Sequence, residues 1–337
     1  MFKRVKIIIL CFVFLILGIA GGYYWGFSIE QKALDKALNA IHPIRDHSSS
    51  YKFISPLLAY IIPSAQQEKT LVALKSTITD VIASEKKIGG LADASVFFYD
   101  MNRGRWIGVN EKQKYNPASM LKVVTMIAYF KKAEMKPSTL SKKLTYTKEM
   151  DALLKTGSFY ALSELHINTR YTVESLIEKV ITKSDNGAQI LLSNSIDKKE
   201  LDTVYSALNI ENPDGAQSGF SISPRTYSLF FRIIYSATYL DRELSEKALG
   251  ILSRTTFDDG IVAGLPTNLV VSHKFGEYLA GSNDSVQDVE LHDCGIVYYP
   301  VNPYFLCVMT KGNNLDELKK VIKNISSLVY QNYGNYK

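Results

Sequence analysis

The chain has 337 residues, of which 39 are basic and 33 acidic, giving a formal charge of +6, and 46% of its residues are hydrophobic. This composition allows a large packed core and excludes a collagen-like or largely disordered chain. The small positive balance, without a basic stripe interleaved with aromatic residues, argues against a nucleic-acid partner.

The N-terminus begins with a short basic stretch, Lys3, Arg4 and Lys6, followed by an uncharged apolar run over residues 7–25. A run of this length suits a bilayer span of ~20 residues, and the preceding basic residues favour a cytoplasmic N-terminus. We therefore predict a single-pass anchor over residues 1–27 in the cell membrane, with the rest of the chain on the extracytoplasmic side. A cleaved signal peptide is the alternative interpretation.

After a predicted membrane-proximal stalk over residues 28–65, residues 66–337 carry the patterns of one folded domain. Helical periodicity covers residues 67–84, most of 119–194, 225–253 and 315–333, and strand-like patterns cover 94–99, 106–109, 268–272 and 291–310. Strands near both ends with helices between them predict an α/β sandwich. One antiparallel sheet is built from both chain ends and flanked by helices, and the helical block forms a separate subdomain.

The strongest candidate nucleophile is Ser119, which follows Asn116 and Pro117 at a predicted helix start. Lys122 lies three residues further on, and therefore on the same helix face. A serine hydroxyl needs a base to remove its proton, and a desolvated lysine can act as that base. The spacing alone is weak evidence, since an exposed helix turn shows it equally well. The same spacing recurs at Ser49/Lys52, Ser84/Lys87 and Ser195/Lys198.

A second candidate element is Ser184-Asp185-Asn186, between two helical segments. As a site, Ser184 would pass a proton to a leaving nitrogen and the Asn186 amide would hold a substrate carbonyl. We expect Asp185 to brace the loop. A simple turn or helix cap is the alternative for the whole tripeptide.

A third candidate element is Lys274-Phe275-Gly276, which we predict at the end of a strand. The lysine would offer positive potential to a substrate carboxylate, and the glycine would let the substrate approach the backbone. A better literal match to Lys-Thr-Gly begins at Lys155, but it lies in a helical stretch between the first two elements. We reject it on order and context.

The three elements, in this order, resemble the S-x-x-K, S-D-N and K-T-G motifs of class A β-lactamases and penicillin-binding proteins. The resemblance implies that Ser119 is acylated, that Lys122 is its base, and that Ser184, Asn186, Lys274 and Gly276 line the cleft. It also implies an oxyanion hole formed by the backbone N–H groups of Ser119 and Glu277. The substrate would be a β-lactam or a D-Ala-D-Ala peptide, and no metal or cofactor is expected.

Two features depart from that pattern. Phe275 replaces the hydroxyl residue of K-T-G, and the E-x-x-L-N loop, whose glutamate activates the deacylating water, is missing. Glu211 and Asp214 are weak substitutes that fit turn positions better. Because losing a positioned general base costs ~10²–10⁴-fold in rate, we expect acylation to survive better than deacylation.

Cys294 and Cys307 flank a predicted hairpin that places them opposite each other. An exported chain can oxidise such a pair. Two unbonded small core residues are the alternative, and the sequence favours that alternative.

Three functions remain open from the sequence. The leading one is an anchored β-lactamase-like serine hydrolase that contributes to antibiotic resistance. The second is a cell-wall D,D-peptidase or slowly deacylating penicillin-binding protein, and the third is a non-catalytic sensor or binding module. A reactive Ser119 separates the first two from the third, and the deacylation rate separates the first from the second.

Overall fold

A computed structural model describes residues 51–55, 68–154, 163–213, 219–280, 288–300 and 302–333. The predicted anchor over residues 1–27 and most of the predicted stalk lie outside these ranges. No helix within them is both long and apolar enough to cross a bilayer.

The described elements follow the predicted order. The helices are α1 (Glu68–Ile88), α2 (Lys122–Met135), α3 (Ser138–Ser141), α4 (Lys148–Asp151), α5 (Val173–Thr182), α6 (Asn186–Ser193), α7 (Lys198–Ala207), α8 (Pro224–Tyr235), α9 (Arg242–Leu252) and α10 (Leu315–Tyr333), with 3₁₀ turns at Ala118–Leu121 and Val262–Gly264. The strands are β1 (Leu91–Asp100), β2 (Trp106–Val109), β3 (Lys143–Thr145), β4 (Arg170–Thr172), β5 (Val271–Ala280), β6 (Asp288–Val297) and β7 (Tyr304–Gly312).

The main sheet has the strand order β2-β1-β7-β6-β5, and all its pairs are antiparallel. It therefore joins strands from both ends of the described domain, as the sequence predicts. β3 and β4 form a separate two-stranded ribbon within the helical block.

The sheet separates two buried clusters because its side chains alternate between faces. Val96 and Phe98 of β1 enter the cluster shared with α1 and α10, while Phe97 and Tyr99 enter the cluster shared with α2, α5, α8 and α9. Both faces of the central strands are buried. The helical subdomain is thus fixed against one face, with β5 left as the edge strand beside it.

Two expectations differ from the structure. β5 runs from Val271 to Ala280, so Lys274 lies in mid-strand, because pairing with β6 carries the strand past Gly276. Cys294 and Cys307 are directly opposite each other on β6 and β7 and form a disulfide, not the unbonded pair that the sequence favoured. Their Cα atoms are 4.0 Å apart, close enough for the sulfurs to meet.

A short part of the predicted stalk packs against the domain. The backbone N–H groups of Phe53 and Ile54 donate to a Glu246 carboxylate oxygen at 2.7 and 2.9 Å, and the Ile54 side chain is buried. Residues 51–55 are therefore held on α9.

Candidate active site

Ser119 lies in the 3₁₀ turn that leads into α2. The Asn116 side-chain oxygen accepts from the N–H of Ala118 at 3.0 Å, and the N–H of Met120 donates to the Pro117 carbonyl at 2.9 Å. Ala118 has a φ of 45°, an uncommon value for a residue with a Cβ. These contacts make a sharp entry into the helix that leaves Ser119 half-buried next to the sheet.

The edge strand β5 crosses this turn at Gly276. A Cβ at that position would lie 2.6 Å from the Pro117 carbonyl oxygen and 2.7 Å from Cγ of Met120, so only glycine permits the approach. The contact brings Glu277, the next residue, beside the turn. The oxyanion hole expected from the N–H groups of Ser119 and Glu277 stays a prediction.

Lys122 is buried one turn after Ser119. Its ammonium donates to the Ser184 carbonyl at 2.5 Å, to the Ser184 hydroxyl at 3.1 Å and to the Asn186 side-chain oxygen at 2.7 Å. Burial lowers its pKa to about 7, against the opposing charges of Asp185 and Glu277. A lysine with this pKa is present in both protonation states at neutral pH, as a general base requires.

Ser184 lies between two amino groups. Besides Lys122, Lys274 donates to the Ser184 hydroxyl at 3.0 Å. Lys274 is fully buried, and burial, followed by the charge of Lys122, places its pKa well below the usual range. Ser184 itself has a φ of 54°, so the loop holds it in the left-handed region. The hydroxyl therefore links both lysines by hydrogen bonds.

Asp185 braces this loop, as the sequence predicts. One carboxylate oxygen accepts from the N–H of Ala188, capping α6, and from the Ser163 hydroxyl, at 2.8 and 3.0 Å. The other accepts from the N–H of Glu164 at 2.7 Å. The capped helix start orients Asn186 towards Lys122.

The structure thus brings together the candidate side chains from all three sequence elements: Lys122, Ser184, Asn186 and Lys274, with Gly276 against the turn of Ser119. The alternative Lys155 and the candidate Asp214 lie outside the described residues. Glu211 is exposed. Within the described ranges, no group of three or more His, Cys, Asp and Glu side chains is arranged as a metal site.

Sequence reasoning missed two side chains of β6 that hold the turn. Glu290 accepts from the N–H of Asn116 at 2.9 Å, and His292 Nε2 donates to the Asn116 carbonyl at 3.0 Å. The N–H of Thr310 donates to His292 Nδ1 at 3.2 Å, which fixes the ring tautomer. Both backbone groups of Asn116 are therefore bound from a strand ~170 residues away, a contact that no local pattern reveals.

Comparison with known proteins places this arrangement in a family. A family model described as "Beta-lactamase enzyme family" matches residues 73–333. The β-lactamase of Streptomyces albus G is 24% identical over 256 residues, covering 69% of this chain and 78% of that protein. The β-lactamase of Bacillus licheniformis is 25% identical over 242 residues, covering 67% and 73%.

Solved structures share the fold. A structure of PBP-A aligns with a TM-score of 0.64 at 22% identity, covering 79% of this chain and 97% of that chain. A class A β-lactamase from Mycobacterium abscessus aligns with a TM-score of 0.64 at 20% identity, covering 77% and 99%. A PBP-A mutant of equal similarity was solved as an acyl-enzyme complex with penicillin G. The fold is that of the class A β-lactamases and PBP-A. The chain belongs to the β-lactamase enzyme family.

Proposed function

We propose that the protein is a serine hydrolase in which Ser119 attacks the carbonyl of a β-lactam and Lys122 accepts the Ser119 proton. The observation that carries this proposal is the environment of Lys122. The amino group is buried one helical turn from Ser119, its pKa is about 7, and it is bonded to Ser184 and Asn186. A base of this strength can take up a proton and release it again near neutral pH.

The proposed reaction has two steps. In acylation, a bond forms between Ser119 Oγ and the carbonyl carbon, and the carbonyl–nitrogen bond breaks. The N–H groups of Ser119 and Glu277 would stabilise the oxyanion. The proton taken by Lys122 would reach the leaving nitrogen through the Ser184 hydroxyl, which is within 3.1 Å of both lysine amino groups. In deacylation, water attacks the ester and releases Ser119.

Deacylation is the step that we expect to be slow. The E-x-x-L-N motif is missing, and Glu211 is exposed. This absence supports the second candidate function, a slowly deacylating penicillin-binding protein or a D,D-peptidase on a D-Ala-D-Ala peptide. We further propose that residues 1–27 anchor the domain outside the cell membrane, supported by Lys3, Arg4 and Lys6 before the apolar run.

The test is covalent labelling of the domain with a fluorescent penicillin at high concentration, followed by whole-protein mass spectrometry. We expect one adduct per wild-type chain and none for Ser119→Ala. Ser84→Ala is the matched control, because Ser84 also has a lysine three residues on but is exposed on α1. Unchanged labelling of Ser119→Ala would refute the assignment. Absence of labelling in the wild type would favour a binding module.

A further inference from the structure

The positive charge of the domain is concentrated at one end of the helical subdomain. The lysine-rich segment, residues 131–148, contains six lysines and one glutamate and runs from the last turns of α2 to the start of α4. The whole chain has a formal charge of +6, to which Lys3, Arg4 and Lys6 contribute three charges. Acidic residues therefore outnumber basic ones in the rest of the chain, and the excess of positive charge lies in this segment.

Four of the six lysines are exposed and have no ion-pair partner in the described ranges. Lys131 and Lys132 pair with Glu134 and Glu200 at 2.6 and 3.2 Å. The four exposed lysines that form no such pair with a described side chain are Lys136, Lys142, Lys143 and Lys148. Their charges are therefore available to an anion outside the protein.

A cavity of about 370 Å³ opens at the lysine-rich segment. Its walls include the buried side chains of Tyr129, Leu144 and Val173, and Lys136 and Lys142 line it as well. Ammonium groups bind phosphate oxygens through charge-assisted hydrogen bonds, and apolar walls suit the carbon atoms attached to a phosphate. The cavity therefore fits the phosphate ester of a larger molecule.

An exposed apolar side chain lies beside these lysines. Met135, the last residue of α2, is 78% exposed and directly precedes Lys136. A large apolar side chain next to lysine ammonium groups is typical of surfaces that lie at the lipid–water interface. There the apolar side chain is removed from water, and the lysines attract anionic headgroups.

The chain that leads from the proposed anchor reaches the domain beside this segment. Tyr51 lies against Arg242, whose guanidinium carbon is 5.2 Å from the centroid of the tyrosine ring. The N–H of Asp241, the preceding residue, donates to a carboxylate oxygen of Glu134 at 2.6 Å. Glu134 in turn directly precedes Met135. The incoming chain therefore meets the domain next to the lysine-rich segment.

We propose that the lysine-rich segment docks on anionic phospholipid headgroups of the cell membrane. In this arrangement Lys136 and Lys142 bind a headgroup phosphate, and Met135 contacts the lipid interface. The inference rests on the proposed membrane anchor over residues 1–27. Residues 28–50 join that anchor to the domain, and a segment of this length spans at most about 80 Å when fully extended. The domain is therefore held within reach of the bilayer surface.

The docked orientation sets the direction of the candidate active site. Lys122 is the first residue of α2 and Met135 is the last. At the helical rise per residue, the two lie about 20 Å apart along the helix. The end of α2 that follows Ser119 therefore points away from the bilayer, where it is open to substrates in the extracytoplasmic space.

The test uses the full chain in nanodiscs, with a fluorescent probe that responds to the lipid interface. Cys11→Ser removes the thiol of the apolar run, and Met135→Cys provides the attachment site for a nitrobenzoxadiazole probe. Cys294 and Cys307 are held in the disulfide and do not react. Compared with discs of neutral phosphatidylcholine, discs that also contain anionic phosphatidylglycerol should raise the probe fluorescence about twofold, and high salt should reverse the gain.

The double variant Lys136→Gln, Lys142→Gln should hold the change between the two kinds of disc below about 1.2-fold. Its matched control is Lys75→Gln, Lys87→Gln, which removes two exposed lysines from α1 on the other side of the sheet and should leave the twofold gain intact. A probe attached through Val72→Cys, at a residue of α1 that is 63% exposed, should respond equally to both kinds of disc.

Three results would overturn the inference. The first is equal fluorescence of the probe at position 135 in neutral and anionic discs, and the second is a gain that survives the loss of Lys136 and Lys142. The third is the same gain when inorganic phosphate or glycerol phosphate is added to neutral discs, which would assign the cavity to a soluble anion. If the full chain does not remain with the discs, the proposed anchor fails and the inference fails with it. Labelling of Ser119 by penicillin tests the hydrolase separately from each of these results.

Discussion

The pH dependence of acylation follows from the burial of Lys122. With a pKa of about 7, the neutral amine makes up about a tenth of the population at pH 6 and about nine tenths at pH 8. The single-turnover acylation rate should therefore rise about tenfold between these pH values and then level off. A lysine with the usual value of 10.5 would instead give a rate that climbs through pH 9 without a plateau.

Replacing a charged neighbour of Lys122 should move the midpoint of this pH profile in a direction set by the sign of the charge removed. Glu277 favours the charged amine, so Glu277→Gln should lower the pKa and shift the midpoint of the profile to lower pH. Glu243→Gln, on the exposed face of α9, should leave the midpoint in place. The assay is quench-flow acylation by a penicillin, with the adduct quantified by mass spectrometry from pH 5 to 10. A wild-type midpoint above pH 9, or a midpoint that Glu277→Gln moves upward, would refute the reasoning.

The same burial has a stability consequence. The pKa of Lys122 is lower in the folded protein than in the unfolded chain, so the unfolded state binds more protons between about pH 7 and pH 10.5. The free energy of unfolding therefore rises with pH across this window. The difference between a pKa of about 7 in the folded chain and the usual 10.5 means that Lys122 destabilises the folded state by at most ~5 kcal/mol at pH values below 7. Lys122→Met should therefore abolish acylation and raise the free energy of unfolding, and the gain should be larger at pH 6 than at pH 10. Urea unfolding at both pH values measures it, and a loss of stability at pH 6 would contradict this account.

Three further predictions concern the other motifs and the topology. Lys274→Ala should slow acylation of Ser119 by a penicillin, while Lys155→Ala should leave it within about twofold, and the reverse ranking would show that the wrong lysine was chosen. Hydrolysis of a chromogenic cephalosporin should show a burst of about one equivalent followed by slow turnover. Glu211→Gln or Asp214→Asn should change the slow phase little, whereas a drop of ~10²-fold in either variant would reveal a relocated general base. Protease added to intact spheroplasts should remove the domain, and its protection would place the domain inside the cell.

Local sequence patterns determined most of the fold. The helical segment predicted before Ser184 and the closing helix predicted over residues 315–333 correspond to α5 and α10, because each has a continuous apolar face at helical spacing. The strand pattern before Ser119 predicted β1 and β2, and the order of the elements predicted one sheet made from both ends. The order of the three motifs also selected the lysine that the structure places beside Ser184, at Lys274.

Tertiary structure decided what depends on contacts between distant segments. The length of β5 follows from its register with β6, and the disulfide follows from the register of β6 with β7. Neither register is encoded in a short window of residues. Likewise, the sequence predicts Lys274 as a cleft residue that offers positive potential to a substrate carboxylate, but it does not show how deeply the side chain is buried. The pKa of Lys274 lies well below the usual range, mainly because the side chain is buried and also because Lys122 is near, and its burial depends on every element packed around it. The residue types of the site are local information, whereas their charge states follow from the packing.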